Sequence, residues 1–238
     1  MISIVIPARE EEKVIGETVA RLKRELKLPN EIIVSDGGSH DRTVEVAGQC
    51  ADKVVVFQGT RHTAGRGRND GAKSAKGEFI AFIDADVFIP EPEAFFRRAL
   101  AHFEDPRVVG VCGPQKALPD IETWGDKLSF GFLNVITRLQ NNVLHKGEAS
   151  GKIMVVRRSA FEKITGFRED LVTREDGDFF YRLSRVGRTI FDPKLAVFHG
   201  ARRAHKIGWL KLWTIWTVET IYFAIFNKSK ADDWTPIR

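Results

Sequence analysis

Short apolar runs rich in β-branched residues alternate with longer helix-compatible stretches, and this alternation predicts an α/β fold with a mostly parallel sheet flanked by helices. Two further observations sharpen the expectation. Acids stand at the ends of two of the apolar runs, where open parallel sheets bind their ligands. The 238 residues are 43% hydrophobic and 29% charged, enough to bury a core, which excludes disordered, collagen-like and low-complexity architectures.

Residues 2–6, 31–35, 53–57, 78–83 and 108–112 read as buried strands, and 11–27, 41–49, 66–75 and 93–103 as the helices between them. After Pro119 the rhythm changes. Residues 123–145 read as one long helix, 152–156 as a strand, a short helix starts at 159, 177–185 is helical, and 189–191 and 195–198 are extended. No repeat or linker divides the chain, so 1–205 reads as one domain with halves 1–115 and 116–205, and 206–238 as an apolar helix and tail.

That last segment, 207–226, is apolar except for Lys211, Glu219 and several threonines. As a helix it would extend about 30 Å, the thickness of a bilayer core. Glu219 would then lie near the midplane, at a cost of roughly 2.5–3.5 kcal/mol, which disfavours a spanning helix. Trp209, Leu212, Trp213, Trp216 and Phe223 share one face, and Arg202, Arg203, Lys206, Lys228 and Lys230 flank the segment. Tryptophans beside basic residues suit peripheral contact with an anionic leaflet through 207–226. Packing on the body or in a dimer is the alternative.

Lysine plus arginine total 37 against 32 acids, a net charge of +5, which suits a nucleotide diphosphate, an acidic lipid surface or nucleic acid. No nucleic-acid module is present, so nucleic acid is not expected as a partner. Cys50 and Cys112 form no CxxC pair, and the start of the chain lacks a basic region and a signal-length apolar run. A reducing, cytoplasmic setting follows as the expectation.

The sharpest motif is Phe82-Ile83-Asp84-Ala85-Asp86. In an extended chain Asp84 and Asp86 face one side, about 6–7 Å apart, where they can hold one hard divalent cation and leave positions open for phosphate oxygens. A second acid, Asp36, precedes two glycines in Ser35-Asp36-Gly37-Gly38-Ser39 and can accept from a base or a ribose hydroxyl. The basic loop Arg61 to Asn69, with Arg66 and Arg68, opens a helix and suits a diphosphate, although Asp70 breaks the GxGxxG spacing. Glu175-Asp176 opens another helix. Asp176 is either a helix-initiating acid or a general base, and as a base it needs burial to offset the helix N-terminus. His199, ending a strand, is either structural or completes a metal site with Asp86.

Together these pieces resemble family 2 glycosyltransferases with the GT-A fold, over residues 2 to about 200. The ordered set is Ile4-Val5-Ile6-Pro7-Ala8-Arg9-Glu10-Glu11, Ser35 to Ser39, Arg68-Asn69-Asp70-Gly71-Ala72, Asp84-Ala85-Asp86, Ser150-Gly151 and Glu175-Asp176, with His199 following. The resemblance implies a donor half, 1–115, that binds a nucleotide-diphosphate sugar, and an acceptor and catalytic half, 116–205. It puts Pro7, Ala8, Arg9, Glu11 and Asp36 around base and ribose, Asp84 by ribose and diphosphate, Asp86 and His199 on Mn²⁺ or Mg²⁺, and Ser150-Gly151 near the donor sugar. Asp176, with Glu175 beside it, matches the catalytic base of inverting members. Glu10 and Gly37 replace the Asn and second Asp common in relatives, and Val87-Phe88 replaces the Leu-Gln of polyprenyl-phosphate mannose synthases, so the acceptor is not narrowed to a bare lipid phosphate. The expected function is inverting, metal-dependent transfer to a lipid-linked or polysaccharide acceptor, peripheral at the cytoplasmic membrane face. The alternatives are a soluble enzyme acting on a free saccharide or small molecule, and a nucleotide-binding scaffold.

Overall fold

The computed structural model describes residues 1–59 and 62–231, so Arg61 and the end of the tail, 232–238, lie outside the described residues. The predicted alternation is present. In chain order come β1 (Ile2–Ala8), α1 (Ile15–Glu25), β2 (Asn30–Asp36), α2 (Thr43–Gly48), β3 (Lys53–Val56), α3 (Ala64–Ala72), β4 (Phe79–Ile83), α4 (Pro92–Ala101) and β5 (Val108–Cys112). The second half adds β6 (Gln115–Ala117), α5 (Trp124–Asn142), β7 (Ile153–Arg157), α6 (Arg158–Lys163), α7 (Glu175–Ser184), β8 (Arg188–Phe191), β9 (Val197–His199), α8 (Arg202–Ile207) and α9 (Trp209–Phe226).

Seven strands form one sheet in the order β3-β2-β1-β4-β7-β5-β8. All pairings are parallel except those of β7, which runs antiparallel to both β4 and β5. The strands read as unbroken apolar runs because both faces are covered. Ile2, Ile4 and Ile6 of β1 pack with Ile15, Val19, Phe95 and Phe96 on one face, whereas Val5, Phe82 and Met154 pack with Phe161, Phe167, Phe179 and Phe180 on the other. β6 and β9 form a separate parallel pair that the sequence did not reveal, since Gln115-Lys116-Ala117 carries no apolar pattern.

For the tryptophan face of the C-terminal helix, the sequence left packing on the body open as the alternative, and the structure shows that packing. The tryptophan face of α9 turns inward onto α5: Trp209 Nε1 donates to Asp126 Oδ1 at 2.9 Å, Trp213 Nε1 donates to Ser129 Oγ at 3.0 Å, and Leu212 is buried. Helix α8 is separate because Gly208, at φ +82°, breaks the chain direction. Glu219 is buried against protein. It accepts from Thr173 Oγ1 at 2.7 Å and from the backbone N–H groups of Lys230 and Ala231 at 3.1 Å. Beside it, Ser229 Oγ accepts from the Val172 and Thr173 N–H groups and donates to the Thr173 carbonyl. Among the described residues no helix is long and apolar enough to cross a membrane.

Glu219 therefore clamps the turn that leads into α7. Glu219→Ala strands three donors and should destabilise the fold by about 1–3 kcal/mol. It should also speed amide exchange at Val172 and Thr173, as read by hydrogen-exchange mass spectrometry; unchanged exchange there would refute the clamp.

Candidate active site

Asp84 and Asp86 leave the carboxyl end of β4, and neighbouring β7 returns antiparallel with Ile153 opposite Ile83. That register delivers the residue before β7, Lys152, against the acids. Lys152 Nζ lies 2.9 Å from Asp84 Oδ2 and 3.2 Å from Asp86 Oδ1. From α8, Arg202 Nη2 reaches Asp86 Oδ2 at 2.9 Å and Glu11 Oε1 at 3.1 Å. Burial alone would raise the Asp86 pKa, but the charges of Lys152 and Arg202 outweigh it and hold the carboxyl well below the usual range. Burial would likewise lower Lys152, and its two carboxylate partners instead hold the ammonium charged.

Arg68 of α3 is the second junction. It is 3% exposed, and Nη2 lies 3.1 Å from Asp84 Oδ1, while Nη1 lies 3.2 Å from Glu175 Oε1 and 3.0 Å from Asp176 Oδ1. Asp176 is presented at the start of α7 by Arg174, a non-glycine residue at φ +66°, a conformation kept only where the surroundings enforce it. Burial raises the Asp176 pKa well above the ordinary value; Arg68 opposes this, and the charges of Glu175, Asp84 and Glu148 add to it. Glu175 is raised as well, chiefly by burial. The burial that a base at a helix N-terminus requires is thus present. Gly151 makes the approach feasible, since a Cβ there would collide with Asp176 and with Arg68.

Other expected residues are placed differently. The Asp36 carboxylate, buried beside Ala8 in the β1–β2 register, accepts from the Gly38 N–H, the Ser39 N–H and Ser39 Oγ. With about four acceptor positions on a carboxylate, most of its capacity shapes its own turn. Pro7 and Arg9 flank Ala8 at that edge. Arg66 turns away, with Nε 3.5 Å from Glu169 Oε2 and its guanidinium over the Phe57 ring. Asn69 is buried and ties down Phe167 through both its amide groups, so it belongs to the scaffold. Ser150 is half-buried beside Gly151.

Two carboxylates closing on one ammonium are the oxygen-rich set that a small hard cation takes, with Lys152 as the stand-in. Among the described residues no group of three His, Cys, Asp or Glu side chains is placed to hold a metal. The expected third ligand, His199, is buried, and its Nδ1 accepts the Ala201 N–H at 3.1 Å. Burial and Lys152 lower its pKa to about 3, so the ring is neutral and this hydrogen bond puts the proton on Nε2. Nε2, which is buried without a partner, then offers a donor suited to a phosphate oxygen in the metal-free protein. Lys152 and Arg202 were missed by sequence reasoning. The available signals were a lysine heading the apolar strand after Ser150-Gly151, and the arginines three and four residues after His199.

A mostly parallel central sheet flanked by helices is the fold shared with GT-A glycosyltransferases. The chain belongs to glycosyl transferase family 2, which it matches over residues 3–165. Among similar solved structures is the mannosyltransferase PcManGT from Pyrobaculum calidifontis in complex with GDP-Man and Mn²⁺, with a TM-score of 0.68 and 19% identity, covering 97% of this chain and 65% of that one. Another is glucosyl-3-phosphoglycerate synthase from Mycobacterium tuberculosis in complex with Mn²⁺, UDP and glucosyl-3-phosphoglycerate, with a TM-score of 0.62 and 18% identity, covering 94% and 78% of the two chains. Similar curated relatives include the O-antigen chain rhamnosyltransferase RfbN of Salmonella typhimurium, 23% identical over 190 residues, and the probable glycosyltransferase YdaM of Bacillus subtilis, 26% identical over 227. These matches cover 74% and 87% of this chain but 58% and 52% of those proteins, so the chain spans little more than half their length.

Arg68→Met should cost about 3–5 kcal/mol, the scale of stripping one partner from a buried ion pair. The stranded carboxylates then bind protons more tightly folded than unfolded, so stability falls as pH rises through their elevated pKa values. Thermal unfolding should therefore show a larger deficit at about pH 8 than at about pH 5. A deficit independent of pH would contradict the charge assignment.

Proposed function

We propose that this chain is an inverting glycosyltransferase that moves a sugar from a nucleotide-diphosphate sugar to an acceptor hydroxyl. The observation that carries this reading is a buried, proton-seeking Asp176 joined through one arginine to Asp84, so that base and diphosphate edge share a single junction. Residues 1–115 form the donor half, with Pro7, Ala8, Arg9, Glu11 and Asp36 toward base and ribose and Ser150-Gly151 toward the sugar. Residues 116–205 supply the acceptor half.

The chemistry follows from the residue roles. Asp176 takes the proton of the acceptor hydroxyl, whose oxygen bonds to the anomeric carbon as the carbon–oxygen bond to the diphosphate breaks. The bonding pair leaves with the nucleoside diphosphate, and one displacement inverts the configuration. Arg68 and Glu175 position Asp176. Asp84 and Asp86 would hold a Mn²⁺ or Mg²⁺, which would supply charge stabilisation for the departing diphosphate. His199 donates through Nε2 to a phosphate oxygen. The Mn²⁺ in PcManGT and in the M. tuberculosis synthase supports the metal part of the reading.

The acceptor is a lipid-linked or polysaccharide glycan at the cytoplasmic membrane face. What supports this is the relation to O-antigen chain rhamnosyltransferases and the outer surface of α5 and α9. Trp124, Leu128, Phe132, Val135 and Leu139 form an exposed stripe on α5, and Leu210, Ile221 and Ile225 are exposed on α9. Lys127, Arg138, Lys146, Lys206 and Lys211 lie exposed along these segments, whereas the acids within 123–147 and 200–231, Asp126 and Glu219, are both buried. Peripheral contact thus shifts from the tryptophan face to the outer stripe.

Two measurements check this reading. Asp176→Asn should lower turnover by about 10²–10⁴-fold while affinity for nucleoside diphosphate changes little. In the unmodified chain kcat/KM should rise with pH through a pKa above the ordinary carboxylate range, and NMR should show an inverted anomeric product; a retained configuration would exclude the mechanism. Separately, the unmodified chain should sediment with phosphatidylglycerol vesicles and the double variant Leu128→Glu, Leu139→Glu should stay in the supernatant. Equal partitioning of both would favour a soluble enzyme acting on a free saccharide.

A further inference from the structure

Three cations serve the acids at the sheet edge, and they are not equivalent. Arg68 is also fixed by Glu175 and Asp176, and Arg202 by Glu11. Among the described residues, the ionic partners of Lys152 are Asp84 and Asp86 alone. Its side chain is 22% exposed and enters between them as a consequence of the β4–β7 register. The ammonium therefore stands where both carboxylates share one cation.

A divalent ion taken up by the same two carboxylates would meet that ammonium within about one hydrogen-bond length, and two cations do not share so small a space. Lys152 must then leave, and an ammonium leaves a half-buried position readily only if another anion receives it. A diphosphate arriving at this edge is such an anion, and the flexible four-carbon stem of lysine lets the charge follow it. We propose, building on the nucleotide-sugar reading, that Lys152 is a donor-binding residue that couples the metal to the nucleotide. Its ammonium holds Asp84 and Asp86 together in the free protein, opposes uptake of a divalent ion there, and passes to a diphosphate oxygen when ion and nucleotide enter together. By linkage, each of the two ligands then strengthens binding of the other.

The test is Mn²⁺ binding to the full chain, read by the electron paramagnetic resonance signal of the free ion, with and without UDP or GDP. The unmodified chain should bind Mn²⁺ alone at least about tenfold more weakly than Lys152→Met, and a nucleoside diphosphate should recover at least about that factor. In Lys152→Met the gain from nucleotide should shrink, whereas Lys152→Arg, which keeps the charge, should behave like the unmodified chain. Thermal unfolding of each variant verifies folding, and Lys152→Arg alone still tests the proposal should Lys152→Met not fold. Equal Mn²⁺ affinity in the unmodified chain and Lys152→Met, or loss of coupling in a folded Lys152→Arg, would overturn it. Failure of every chain to bind either nucleotide would instead count against the nucleotide-sugar reading, and the Mn²⁺-alone comparison would still decide the role of Lys152.

Discussion

Concentrated negative charge at the carboxyl edge of the sheet is the constraint on which the remaining structure depends. Glu11, Asp84, Asp86, Glu175 and Asp176 converge there from three separate segments, and Arg68, Lys152 and Arg202 hold them. Acids brought this close repel one another, and removing them from water without partners would be costly. The cations consequently act as long-range ties. Arg202 joins the loop after β1 to the acids after β4, and Arg68 joins those acids to the start of α7. Fold and site are one electrostatic arrangement.

The C-terminal helices extend the same arrangement outward. Arg202 belongs to α8, and α8 is held through the buried Asp126 of α5, whose carboxylate meets His205 at 2.8 Å and Trp209 at 2.9 Å. The Thr123–Asp126 capping box orients that carboxylate, so a helix start doubles as the socket for the segment carrying Arg202. On the other side Glu219 and Ser229 brace Val172 and Thr173, directly before the left-handed Arg174 that aims Asp176. Ala201, at φ +47°, performs the matching turn after His199. Two strained backbone positions thus flank the two halves of the site, and packing from α8 and α9 offsets their cost.

What was legible in the sequence was local. The first five strands could be read from continuous apolar runs, and Asp84, Asp86 and Asp176 from their positions at strand or helix ends. What was not legible depended on pairings between distant segments. Lys152 enters the site only because β7 is antiparallel and in a particular register, and Arg202 because α8 is tethered by a helix 79 residues earlier. Arg66 and Asn69 have the right chemistry for a diphosphate, and only the fold shows that Glu169 and Phe167 stand within reach of them. The inward turn of the α9 tryptophans was open in the sequence for a similar reason. Helical spacing identifies a shared face but not what covers it.

The two aspartates with the clearest perturbation differ in direction, and that contrast divides their work. Both are removed from water, which by itself favours the neutral acid. Asp86 has an ammonium and a guanidinium within 3.2 Å and remains charged, as a group that holds a cation must. Asp176 has one guanidinium, shared with Asp84 and Glu175, and the negative neighbours tip the balance toward the proton. One carboxylate is thereby fitted to grip and the other to accept a proton, although the residue type and the degree of desolvation are similar. The decisive difference is how many cations each receives, which is set by the topology that directs Lys152 and Arg202 to one side and only Arg68 to the other.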